Sequence, residues 1–246
     1  MRPFLFLGTR AEDAVADSEY AAVLRCAGLD ESDVRRVRLE STPLGKVDLA
    51  DWSGIILGGG PFNVSDPEEV KSAAQRRAEA ELRELATRVV AADFPFLGAC
   101  YGVGVLGTLR DGVVDREYGE PISAREITLT PDGERDPLLG SMPPRFQAFL
   151  GHKEAVRRLP DGAVLLASSA DCPVHAFRIG SNVYATQFHP ELDVEGLVLR
   201  IDTYRHHGYF SPPEQAEALM EMARASRVEH PPALLARFVE LYAAER

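Results

Sequence analysis

Cysteine is scarce in this chain of 246 residues: there are three, Cys26, Cys100 and Cys172, an odd number at unpaired spacings. That argues against a disulfide framework and against a zinc cluster of the CxxC type. At least one thiol is therefore free. Basic residues are also short, with 27 Lys and Arg against 38 Asp and Glu and a formal charge of −11. A field of that sign repels phosphate backbones and anionic membrane surfaces, so the expected partners are small molecules or proteins, with no nucleic acid and no membrane. Long apolar runs are missing. The longest charge-free stretch, Phe94 to Leu109, contains Pro95 and four glycines and falls short of the roughly 20 apolar residues of a spanning helix. The run from Pro3 to Gly8 is too short for a signal-peptide core, so the expected location is the cytoplasm. There is no low-complexity tract, repeat or Gly/Ser linker to mark a sharp domain boundary.

What is present alternates between strand and helix patterns. Phe4 to Gly8 reads as a buried strand, Ser18 to Ala27 as a helix that Gly28 can end, Val34 to Leu39 as a weaker strand. Gly54 to Leu57 is a strong strand ending in Gly58-Gly59-Gly60-Pro61. Asp66, Pro67 and Glu69 carry the signature of a helix start and predict a long helix from there to about Ala92. Phe94 to Gly98 is the next buried strand. Short apolar runs separated by helices predict an α/β fold, a three-layer α/β/α sandwich on a mostly parallel sheet. After Gly112, the runs Ile122 to Thr130, Phe146 to Leu150, Ala163 to Ser168, Val174 to Ile179 and Asn182 to Phe188 predict an antiparallel hairpin extension. From Asp193 the pattern is helical, with Pro212-Pro213 and Pro231-Pro232 dividing three helices. The expected division is residues 1–195 for the main domain and 196–246 for a helical extension packed on it.

Leu97-Gly98-Ala99-Cys100-Tyr101-Gly102 places a cysteine between a buried strand and a Gly-rich segment able to start a helix. A residue there sits in a sharp turn at the carboxyl edge of the sheet, its side chain in the crevice and helix amides behind it. A helix N-terminus favours thiolate, which predicts a pKa below the usual value of about 8.5. A nucleophilic cysteine needs a base and the base needs an orienting acceptor. Gln187-Phe188-His189-Pro190-Glu191 supplies both at the end of a predicted strand. A tetrahedral oxyanion needs donors, and Gly59-Gly60-Pro61 offers amides at the same sheet edge.

Together these segments resemble the class I glutamine amidotransferases, with their Gly-x-Cys-x-Gly elbow, later His-x-Glu and Gly-Gly-Pro loop. Asp136 to Leu139, Gly151 to Val156 and Tyr184 to Glu191 extend the likeness over most of residues 1 to about 195, in the style of the glutaminase part of GMP synthases and of its free-standing relatives. The resemblance implies a flavodoxin-like fold, Cys100 as nucleophile, His189 as base and then acid, and Glu191 as its orienter. It also implies an oxyanion hole from the amides of Gly60 and Tyr101, with Gly59, Gly151, His152 and Lys153 along the substrate. The implied reaction is hydrolysis of the side-chain amide of glutamine through a γ-glutamyl thioester, with no cofactor and no metal. The sequence departs from the family at Gly104, where a substrate-holding glutamine is common; this opens the pocket to other γ-glutamyl compounds. The chain ends about 55 residues after Glu191 without a phosphate loop, so an ammonia-using synthetase would be a separate chain. Further readings are a homodimer and a regulatory subunit that binds with little turnover.

Other features are set aside. Gly102 to Gly107 is a formal GxGxxG but follows the fourth strand and lacks the downstream acidic residue of a dinucleotide site. His206 and His207 point about 100° apart on a helix and do not share a metal. His175, Cys26, Cys172 and Trp52 read as structural, and Arg76 to Glu84 as a solvated helix face. Leu219, Met220, Met222, Leu234, Leu235 and Phe238 would mark an interface if exposed, and core at helical spacing if not.

Overall fold

The apolar runs become the strands of one nine-stranded sheet in the computed structural model, which describes residues 2–205, 210, 212 and 214–243. In chain order the strands are β1 (Phe4–Gly8), β2 (Val34–Arg38), β3 (Gly54–Leu57), β4 (Phe96–Ala99), β5 (Val113–Asp115), β6 (Glu120–Leu129), β7 (Arg145–His152), β8 (Ala155–Arg158), β9 (Ala163–Ser168), β10 (Ala176–Ile179) and β11 (Val183–Thr186). The helices are α1 (Asp13–Ala27), α2 (Ala73–Ala92), α3 (Tyr101–Gly107), α4 (Pro131–Arg135), α5 (Val194–Thr203), α6 (Gln215–Ala225) and α7 (Pro232–Tyr242). The large sheet runs β2-β1-β3-β4-β11-β10-β9-β6-β7 and β5 pairs with β8 apart from it. The first five strands in that order are parallel and the rest antiparallel, so the hairpins continue the same sheet.

Alternation along the parallel strands explains the layers. Phe4, Phe6, Ile56 and Leu97 point into one cluster with Val23 of α1 and Leu234 and Phe238 of α7. Leu5, Leu7, Ile55, Leu57 and Phe96 point into the other with Leu82 and Val89 of α2 and Val103 of α3. A sheet apolar on both faces must be covered on both, which is why these strands read as continuous apolar runs. Most of the C-terminal apolar residues are core: Leu234, Leu235 and Phe238 are buried, Met220 of α6 packs in a third cluster with Phe149, Leu197 and Ile201, and Leu219 and Met222 are half-buried.

The helix expected from Pro67 begins later, at Ala73. Ser72 caps it by accepting the Gln75 N–H at 3.0 Å, while Asp66 accepts from Arg116 at 2.6 Å and from the Gln75 side chain at 3.3 Å. The Asp66-Pro67 start signal was thus spent on loop contacts, because a better cap lay six residues on. Pro131–Arg135 is a single helical turn capped by Thr130, whose hydroxyl accepts the Gly133 N–H. No helix among the described residues is long and apolar enough to cross a membrane. His206 and His207 lie outside the described residues.

Candidate active site

β4 ends at Ala99 and α3 begins at Tyr101, leaving Cys100 alone at the turn with φ 50° and ψ −84°. A non-glycine residue held there costs about 1–3 kcal/mol and persists because its surroundings over-determine it. The strain thus falls on the cysteine itself, and its flanking glycines supply close approach: a Cβ on Gly98 would lie 2.8 Å from the Gly102 Cα. Two bonds hold the turn: Cys100 N–H donates to the Thr186 carbonyl at 2.7 Å, and the Cys100 carbonyl accepts from Val103 N–H at 2.9 Å. The first bond is a consequence of β4 pairing in parallel with β11, which sets Ala99 beside Thr186. The chain leaving β11 therefore delivers His189 to the sheet edge where Cys100 stands.

His189 Nδ1 lies 2.9 Å from Glu191 Oε1. That oxygen also accepts from Arg200 of α5 at 2.8 Å, and Arg200 reaches Glu19 of α1 at 3.2 Å. Glu19 in turn accepts from Arg10 at 2.9 Å. Sequence reasoning missed Arg10, Glu19 and Arg200. They are scattered over the chain, and only Arg10, just past the end of β1, carries even a positional signal. Two guanidinium groups and two carboxylates balance, all of them buried. Burial would raise the Glu191 carboxyl, but its interactions with His189 and Arg200, a hydrogen bond to each among them, hold it far below the usual carboxylate range. Burial lowers the His189 imidazole, and Arg200 and Arg10 lower it further against the pull of Glu191. The ring is accordingly neutral; its Nδ1 lies between Glu191 Oε1 at 2.9 Å and Arg200 Nη1 at 3.2 Å, and with the Nδ1 hydrogen given to Glu191 the lone pair is on Nε2.

Gly59 is where Cys100 and His189 approach each other. A Cβ there would sit 3.3 Å from the Cys100 Cβ and collide with the His189 ring, so the position admits no side chain. Thr9 donates its hydroxyl to the Gly59 carbonyl at 3.2 Å. In a trans peptide the next N–H points the opposite way, so this bond fixes the direction of the Gly60 amide. The Tyr101 N–H, at the first position of α3, has no intrahelical acceptor.

The thiol departs from the sequence expectation. Burial pushes Cys100 up to about 12, and Arg10 and Arg200 only partly offset it. A helix of two turns does not outweigh that desolvation. With no ligand bound, alkylation of Cys100 by iodoacetamide should quicken about tenfold per pH unit between pH 7 and 9, as expected for a thiol titrating above that range. Peptide mass spectrometry would follow it, and a flat profile over those pH values would indicate a thiolate already present at pH 7.

In front of Cys100 lies a cavity of about 390 Å³ whose walls include Gly60, Tyr101, Gly151, His152, Lys153 and Gln187. The fold thus collects six of the expected site residues, Cys100 among them, around one opening. His189 and Cys100 also share a smaller adjoining cavity with Arg10 and Arg200. Gly59 and Glu191 stand behind. His152, expected along the substrate, is buried with Nε2 at 3.0 Å from Glu120 and Nδ1 at 3.0 Å from the Glu154 carbonyl. Gly104 has a spatial explanation. A Cβ there would lie 2.7 Å from Glu154 Oε1 and 3.1 Å from Val64. Glu154 fills the place of a longer side chain at 104 and accepts the Val64 and Ser65 N–H groups at 3.0 and 2.8 Å, tying the loop after Pro61 to the pocket wall. Gly104→Ala should therefore lower the midpoint in urea, because the added methyl pushes Glu154 off the Val64 and Ser65 amides, a loss set against the better helix propensity of alanine.

A mostly parallel sheet with helices on both faces, a strained cysteine at its carboxyl edge and a His-Glu pair beside it define a fold of the class I amidotransferase type. Residues 16–196 match the family Glutamine amidotransferase class-I, and the chain belongs to that family. It is 30% identical over 155 residues to a glutamine-hydrolyzing GMP synthase of Dehalococcoides mccartyi, a match covering 61% of this chain and 26% of that one. It is 31% identical over 154 residues to one subunit of the glutamine-hydrolyzing GMP synthase of Methanocaldococcus jannaschii, covering 62% of this chain and 72% of that one. The match spans only about a quarter of the length of the full GMP synthases. A glutamine amidotransferase structure from Thermotoga maritima superimposes with a TM-score of 0.72 over 100% of both chains at 17% identity, a likeness of fold.

Proposed function

We propose that the protein hydrolyses the side-chain amide of glutamine to glutamate and ammonia. Cys100 Sγ attacks the amide carbon while its proton passes to the bare Nε2 of His189. The tetrahedral oxyanion is received by the amides of Gly60 and Tyr101. His189 gives its proton to the leaving nitrogen, ammonia departs, and a γ-glutamyl thioester remains on Cys100. His189 then activates water, which hydrolyses the thioester and restores the thiol. Glu191 keeps the ring in one tautomer throughout. Gly59, Gly151, His152 and Lys153 line or back the substrate, in a domain of residues 1–195 over which the helices of 196–246 pack. The observation that carries this reading is the strained Cys100 backbone across Gly59 from the hydrogen-bonded His189–Glu191 pair.

The relatives named as GMP synthases suggest a glutaminase subunit feeding a separate synthetase. Gly104, with Glu154 in its space, favours a second reading, a stand-alone hydrolase of other γ-glutamyl compounds. Incubation with an electrophilic glutamine analogue, followed by intact-protein mass spectrometry, tests the proposal without needing turnover. A stoichiometric adduct on Cys100, absent from Cys100→Ala, is expected. An unlabelled protein whose Cys100 still reacts with iodoacetamide would remove glutamine as substrate and leave the second reading.

A further inference from the structure

Four side chains that the reaction does not use as acid, base or nucleophile meet in one place: Glu120, His152, Cys172 and His175. Each offers a ligand atom, and these atoms all lie within 4.8 Å of one another. All four are buried, the side chains of His152, His175 and Glu120 showing 2%, 0% and 3% exposure. They come from three separate segments: the start of β6, the end of β7, and the connection from β9 to β10. Reading the chain for CxxC pairs could not find them.

His152 Nδ1 is 3.0 Å from the Glu154 carbonyl, so Nε2 is the nitrogen turned into the cluster, 3.0 Å from Glu120 Oε2. The same oxygen lies 2.9 Å from His175 Nε2, which is also 3.0 Å from the Ser169 hydroxyl. The Cys172 thiol donates to the Val174 carbonyl at 3.5 Å. Buried Glu120 Oε1, with Arg125 Nε 3.8 Å away, and buried His175 Nδ1 have no hydrogen-bond partner among the described residues. Two imidazoles thus converge on one carboxylate oxygen, beside two buried polar atoms that no hydrogen bond satisfies.

We infer that this cluster is a binding site for a single zinc-class divalent cation held by Glu120, His152, Cys172 and His175. Two imidazoles, a thiolate and a carboxylate are the ligand types zinc takes. Bonds of about 2.0–2.3 Å put neighbouring donors of a tetrahedron about 3.3–3.8 Å apart, so the two contacts to Glu120 at 2.9 and 3.0 Å would open and the wider separations, all within 4.8 Å, would close around the ion. The charges of Glu120 and of the Cys172 thiolate cancel those of the cation, leaving no net charge to bury. His152 already gives its second ring nitrogen to a backbone carbonyl, the usual support of a metal-bound imidazole. Four protein ligands make a closed, structural site. It ties His152, on the wall of the cavity before Cys100, to the β9–β10 connection and so fixes Gly151 to Glu154. The thiol must lose its proton on binding, so loading releases protons.

Cobalt(II) is the probe. Chelator-stripped protein titrated with Co²⁺ should bind one equivalent in a tetrahedral spectrum with a thiolate-to-cobalt charge-transfer band in the near ultraviolet, displaced by Zn²⁺. Cys172→Ser should lose the charge-transfer band, and His175→Ala should weaken binding by about 100-fold or more. Cys100→Ala and Cys26→Ser should keep the band, since neither thiol belongs to the cluster. Zn²⁺ should also raise the melting temperature of the wild type in a concentration-dependent way. Wild-type protein that binds no stoichiometric Co²⁺, or a band that survives in Cys172→Ser or disappears in Cys100→Ala, would overturn the site, whatever the outcome of glutamine labelling.

Discussion

Cys100→Ala is expected to lower γ-glutamyl amide hydrolysis by about 10⁴–10⁶-fold, the scale of losing a covalent nucleophile that acts as a unit with its base. His189→Ala should cost nearly as much, and the double variant little more than either alone, because each substitution disables the same proton transfer and attack. Substrate affinity, measured by calorimetry on the inactive variants, should stay within a few-fold of the wild type, since Gly60, Tyr101, Gly151, Lys153 and Gln187 still line the cavity. A residual rate in Cys100→Ala above a hundredth of wild type would mean that water attacks directly and that no thioester is formed. Stability should move independently of activity. Alanine leaves a Cβ in the left-handed backbone at position 100, whereas Cys100→Gly removes it and should exceed the alanine variant in stability by about 1 kcal/mol or more. Equal stability of the two would show that the turn carries no strain.

Arg200→Ala should be the most disruptive change outside the catalytic pair. Arg200 lies between Glu191 and Glu19, both almost wholly buried, with side-chain exposures of 2% and 1%. Removing one partner of a buried ion pair costs about 3–5 kcal/mol because the surviving charge is left without compensation. At roughly 2–4 °C per kcal/mol for a chain of this size, the melting temperature should fall by about 6–20 °C. Arg200→Lys should recover part of the stability, since an ammonium matches the charge without the planar fork that reaches two carboxylates. Arg205, paired at the surface with Asp202 and Glu217, is the control; its alanine variant should melt close to the wild type. An Arg200→Ala protein that melts within a degree or two of the wild type would show that Arg10 and water neutralise the carboxylates on their own.

These two predictions divide between what a linear reading finds and what it misses. The meeting of Cys100, His189 and Glu191 was legible because its signals are local: a cysteine sits at a strand-to-helix turn, and a histidine sits two residues from its carboxylate partner. Strand positions were legible because a sheet covered on both faces writes itself as apolar runs. The expected start of α2 failed because Asp66 and Ser72 are both competent caps, and the choice between them was made by Arg116 and Gln75 reaching Asp66 from elsewhere. The ionisation of Cys100 was misjudged for the same kind of reason. Helix position is a property of the sequence, but the desolvation that opposes it depends on what packs around the turn.

By itself, then, the sequence determined the α/β layering, the order of its apolar strands, and the placing of Cys100 at a strand-to-helix turn and of His189 two residues from Glu191, since each is encoded within a few consecutive residues. Tertiary structure alone decided that Arg10, Glu19 and Arg200 hold the charge balance behind His189, that Glu154 occupies the space Gly104 leaves, and that Glu120, His152, Cys172 and His175 converge. Those contacts join residues up to 181 positions apart, and no local pattern records them, because a distant partner is chosen by sheet order and helix packing rather than by its neighbours in the chain.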